Sequence, residues 1–174
     1  MTEKSTSRES LRAVAHPLRL QILSLLTGAE LSAAEVAREL DITHANASYH
    51  LRVLLDAGEL VVAGEEKIRG GVAKRYRHPW DQEKPHKHSD KDRRLYIRAV
   101  AEELVRRFEA RPAGATKALL TDAEMWVTPE VWAQVLAHVQ EASQLIHAKA
   151  RPPRTDGTIH VNLTAAAFLM GDER

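Results

Sequence analysis

The chain has 174 residues, 44% of them hydrophobic and 28% charged, with a formal net charge of +1 and no cysteine. That length suits one compact domain or two small ones, and the composition is that of an ordinary globular protein rather than a disordered or uniformly basic one. The absence of thiols excludes disulfides, thiol redox sensing and every thiolate metal site.

The elements follow in chain order. Pro17 opens a helix at its first position, with Leu20, Leu23 and Leu26 as an apolar stripe. Ser32 with Glu35 three residues on forms a capping box, and Val36, Ala37 and Leu40 give a short amphipathic helix. Asp41 and Ile42 make the turn. Thr43 caps a second helix, with Ala47, Leu51, Leu54 and Leu55 on its apolar side and Thr43, His44, Asn46, Ser48, Tyr49 and Arg52 on the other. A short helix, a tight turn and a helix with a polar outer face make a helix-turn-helix.

Residues 60–63 and 72–77 are β-prone, and Gly70 and Gly71 between them permit a tight turn, so a hairpin is expected. It is rich in Lys67, Arg69, Lys74, Arg75 and Arg77, and no acid occurs from Lys67 through His78. The chemistry of both pieces suits DNA. Asn can bond adenine in a bidentate manner, Ser serves several base edges, and a basic hairpin beside such a helix is placed to hold phosphate. The bland alternatives are a solvated helix pair and a solvated charged hairpin. Their occurrence in this order favours the DNA reading.

Here the sequence resembles the ArsR-type bacterial winged-helix repressors, as a larger, cysteine-free member. The resemblance rests on His16-Pro17-Leu18-Arg19 with its Leu/Ile-rich helix, on the phrase from Ala47 to Leu54, and on the exit from Asp56 to Val61. It covers about the first 80 residues. It implies repression by blocking a promoter, a homodimer, and a dimer-forming helix after the wing. Many relatives sense soft metals through a cysteine pair. The matching stretch here, residues 38–43, offers no thiol.

After a hydrophilic connection at residues 79–90, a helix is expected from residue 91 or 92 to about 110, with Ile97, Val100, Ala101, Leu104, Val105 and Phe108 at helical spacing. Packing on its own chain and packing on a second copy fit this spacing equally. The paired half-sites of helix-turn-helix proteins favour the second copy. Residues 117–127 have partial β character, Thr128 caps a helix with Pro129 at its first position, and residues 158–170 alternate as a strand does. The expected fold is therefore mainly α with a small β component. Residues 1–80 are expected to form a winged helix-turn-helix domain, and residues 81–174 to carry the dimerisation helix and a strand-helix-strand extension that is the candidate effector region.

Trp126, Trp132 and Phe168 read first as core and second as the wall of a pocket for a small organic effector. His86 and His88 could hold a borderline metal, though a solvated linker fits better, and no metal or cofactor is expected. No phosphate-binding Gly-rich loop, nucleophile elbow or zinc-protease pair occurs, so an enzyme is not expected. No apolar run reaches membrane-span length and no signal peptide is read, so a cytoplasmic, nucleoid-associated protein is expected. The sequence therefore points to a sequence-specific regulator that binds double-stranded DNA. The alternative is a winged-helix module that binds protein.

Overall fold

The computed structural model describes residues 11–82, 89–114 and 118–171. A helical turn at residues 11–14 leads into α1 (Pro17–Gly28), followed by β1 (Leu31–Ser32), α2 (Ala33–Glu39) and α3 (His44–Asp56). The hairpin strands β2 (Val61–Ile68) and β3 (Gly71–Arg77) come next, then the long helices α4 (Asp90–Glu109) and α5 (Pro129–Lys149).

Local chemistry sets the helix starts. His16 caps α1 by accepting the Leu18 N–H at 3.2 Å, and Pro17 follows, where no N–H is needed. Ser32 and Glu35 form the reciprocal capping box of α2: the Ser32 N–H donates to Glu35 at 2.7 Å, and the Glu35 N–H to the Ser32 hydroxyl at 3.4 Å. Thr43 caps α3, Ser89 caps α4 and Thr128 caps α5. The α2–α3 turn bends through Asp41 at φ 51°, a left-handed conformation that Asp tolerates better than most residues.

The described residues contain one three-stranded antiparallel sheet, with β3 in the centre between β1 and β2. Leu31 pairs with Tyr76 on one side, and Val61 to Ile68 pair with Arg77 to Gly71 on the other. The register shifts between Val62 and Gly64. Gly70, at φ 95°, makes the hairpin turn.

One core holds α1, α2 and α3 together. Ile22, Leu23 and Leu26 of α1 meet Val36 and Ala37 of α2 and Ala47, Leu51 and Leu54 of α3, with Val14 and Leu60 closing the ends. Burying each large aliphatic side chain contributes about 1.5–3 kcal/mol. The α1 stripe is wider than the leucine spacing implies, since Ile22 is fully buried while Leu20 is only half-buried.

In the second half, the helix expected at about residues 91–110 forms as α4. In α4 the buried residues are Asp92, Ala99 and Glu103, and the apolar residues Ile97, Leu104, Val105 and Phe108 are exposed. The helix turns its polar side to α1. Glu103 accepts from Gln21 at 3.0 Å and is held by Arg106 and Arg107, while Arg107 also donates to Ser24. Burial alone would raise the Glu103 pKa, but the hydrogen bonds from Arg106, Arg107 and Gln21 outweigh it and hold the carboxyl below its usual range.

Of the expected strand-helix-strand extension, the helix alone forms among the described residues. Its helix forms as α5, but residues 118–127 and 158–170 are not strands here. A strand needs a ladder partner, and neither stretch finds one among the described residues. The arm after α5 instead crosses the reading domain. A Cβ on Gly28 would lie 2.8 Å from the Arg151 carbonyl oxygen, and Arg154 contacts both carboxylate oxygens of Glu39 at 2.8 Å.

Candidate nucleic-acid interface

The predicted contact residues of the reading helix all lie on α3 or its cap. His44, Asn46, Tyr49 and Arg52 are exposed, and Ser48 is half-buried. At 100° per residue the open face centres on Ala45, Tyr49 and Arg52, with Asn46 and Ser48 at its margins. Thr43 is exposed, but its hydroxyl already accepts the Asn46 N–H at 3.2 Å. Ala45 is an exposed small apolar residue that the sequence did not single out. Its methyl suits contact with a thymine methyl, and only the helix phase reveals it.

The inner face of α3 holds a polar group that the apolar pattern did not foretell. His50 is 6% exposed, its ring centroid lies 4.9 Å from that of His16, and its Nδ1 has no hydrogen-bond partner. Burial lowers the His50 pKa, and the nearby His16 and Arg19 lower it further. Burial and Arg19 also lower that of His16. On the exposed side of the pair, the Tyr49 ring meets the His50 ring edge-on at 5.1 Å.

In the hairpin, Lys67, Arg69 and Lys74 are exposed, while Arg75 and Arg77 are half-buried. Arg75 is engaged inside the protein. Its guanidinium reaches Glu35 at 3.1 Å and Glu66 at 2.9 Å and also donates to the Glu30 carbonyl. It therefore ties the hairpin to the capping box of α2. The Glu35 pKa is lowered first by the Ser32 backbone N–H, then by the Ser32 hydroxyl and the charges of Arg75 and Arg38, against an opposing effect of burial. Glu65 faces Lys74 across the ladder, so free positive charge is concentrated toward the tip at Lys67 and Arg69.

The proposed effector residues do not enclose a space within one chain. Trp126 is 92% exposed, Phe168 is 64% exposed and Trp132 is half-buried. A cavity of about 360 Å³ opens elsewhere, between the N-terminal turn and α3, lined by Arg12, Ala13, Arg19, Val53, Asp56 and Ala57. His86 and His88 lie outside the described residues. Among the described residues no three His, Asp or Glu side chains group as a metal site, and no helix is long and apolar enough to cross a membrane.

Among solved structures, the chain is similar to a "possible transcriptional regulatory protein" fragment from Mycobacterium bovis at 23% identity and a TM-score of 0.40. The match covers 59% of this chain and 98% of that one. No curated protein matches the sequence. Residues 14–61 match the family model described as a helix-turn-helix domain, and α1, α2 and α3 of this chain are accordingly a helix-turn-helix domain.

Proposed function

We propose that the protein is a DNA-binding transcriptional regulator of the ArsR-like winged-helix kind. It acts as a homodimer and represses by occupying promoter DNA. The observation that carries the DNA reading is the open face of α3, bearing His44, Asn46, Tyr49 and Arg52, beside a hairpin whose tip presents Lys67 and Arg69. The helix enters the major groove, Asn46 and Ser48 address base edges, and the hairpin tip holds phosphate. Arg75 and Arg77 support the hairpin from its base.

The dimer reading rests on α4. Ile97, Ala101, Leu104, Val105 and Phe108 recur on the side opposite the one buried on α1, and all five are exposed. An apolar stripe turned away from its own core is suited to a second copy. Any effector site built from Trp126, Trp132 and Phe168 would then need the second copy to wall it.

A salt titration of binding to operator DNA and to random DNA tests the function. Phosphate binding predicts a steep linear fall of log K with log salt for both DNAs, with the operator bound more tightly throughout. Binding to neither DNA at low salt would remove the DNA reading and leave a protein-interaction module.

A further inference from the structure

The stretches flanking α5 are strand-like in sequence and unpaired in the chain. Ile159, Val161 and Leu163 alternate with His160, Asn162 and Thr164, the period that places apolar groups on one face of a strand. The three apolar residues are 84%, 55% and 48% exposed. Among the described residues, no backbone–backbone hydrogen bond reaches residues 118–127 or 159–170. Even α5, with 21 residues, buries none of them. Fourteen of the twenty-two exposed large apolar side chains lie between Leu119 and Met170, so the uncovered surface is concentrated here.

The area involved says what covers it. The chain exposes 13788 Å². A compact monomer of this 19.4 kDa mass exposes roughly 8,500 Å². With the 22 residues outside the described set left out of both sides, at about 160 Å² each from the chain and with the compact reference lowered to roughly 7,700 Å², the excess is still roughly 2,500 Å². A standard interface takes about 800 Å² from each partner, and an obligate homodimer about 1,000–2,500 Å². The excess sits at the top of that range, which favours interwound chains over two bodies touching on one face. Each stretch offers a backbone edge with which the other can pair. The arm itself is tied to α4 of its own chain, where Arg107 donates to Asn162 at 3.0 Å and also to Ser24 of α1 at 3.2 Å.

We propose that two copies exchange strands, residues 159–164 of each pairing with residues 119–127 of the other to form an intermolecular sheet over which the α5 helices pack. The proposal rests on the homodimer reading and goes further by naming the segments that cross.

Two measurements on the full chain separate the two ideas. Sedimentation gives the mass, and twice 19.4 kDa is expected. A dimer assembled from isotope-labelled and unlabelled chains, read by filtered NOEs, is expected to show contacts between residues 159–164 of one copy and 119–127 of the other. A dimeric mass with these contacts only within a copy overturns the exchange and leaves the dimer standing, whereas a monomeric mass overturns both. As a second arm, His160→Pro and Val161→Pro each remove one ladder N–H, on opposite sides of the strand. At least one should abolish slow amide exchange at residues 119–127 while helical circular dichroism is retained. Undiminished protection in both variants would overturn the pairing.

Discussion

Arg75 shows how a side chain's type can suggest one role and its surroundings another. In a list of basic hairpin residues it is indistinguishable from Lys67 or Arg69, yet it is drawn into the junction between the hairpin and α2 by Glu35, Glu66 and the Glu30 carbonyl. Arg75→Ala should cost about 1 kcal/mol of stability, since the pairs are partly exposed, and chemical denaturation would measure it. Asn46 is the opposite case, with an exposed side chain on the outer face. Asn46→Ala should leave stability unchanged, cost about 1–3 kcal/mol at the operator and much less on random DNA. Equal losses on both DNAs would end its role as a base reader.

His50 adds a pH dependence. The folded state resists protonation of His50 and His16, whose pKa values lie below the ordinary 6.5. The unfolded chain takes up protons from about pH 6.5 downward, so stability should fall as pH drops below 6.5 and level off below the folded values. His50→Phe should flatten that fall in thermal melts between pH 7 and 5.5. A second loss is expected below about pH 4.5, as Glu35 and Glu103 protonate through their lowered values.

At the scale of elements, the exposed hairpin tip is where the proposed function expects phosphate to be held. Changing Lys67 and Arg69 together to Ala should reduce the slope of log K against log salt by about two, at about 0.9 for each phosphate contact. An unchanged slope would take the tip off the DNA. The elements that were legible in the sequence are those fixed by local chemistry. Ser32, Thr43 and Thr128 cap the helices expected of them, Gly70 turns the hairpin, and Val36 and Leu51 reach the core. What was not legible depends on what an element packs against. Periodicity located the apolar stripe of α4 correctly, but it carries no information on which side meets α1, and there Gln21 and Ser24 favoured the Glu103–Arg107 side. The strand pattern at 158–164 was likewise visible, whereas its partner cannot be read from one chain's periodicity. Within the site, the outer face of α3 was legible, while the inward His50 and the tethered Arg75 needed three-dimensional neighbours to be understood.

At the scale of the whole molecule, the reading domain has a closed core and the second half does not. A single chain in isolation would expose Trp126, Leu119 and Ile159 almost fully, a strong aggregation hazard. Truncation after residue 82, which removes α4 with the rest of the second half, should therefore give a more soluble but weaker DNA binder, with the salt-dependent affinity of single half-sites. Gel filtration and a half-site titration would check both outcomes.

The arm that leaves α5 passes so close to Gly28 that a methyl group would collide with the Arg151 backbone, and Arg154 then reaches Glu39 beside the α2–α3 turn. Under the dimer reading, this makes the arm a gauge rod between the two reading heads. A flexible link would let each head find its groove independently and would tolerate spacers of many lengths. A rod fixes both reach and rotation, so the operator should accept one separation of half-sites, near a helical turn of 34–36 Å, and reject an insertion of about five base pairs that moves one half-site to the opposite side of the duplex.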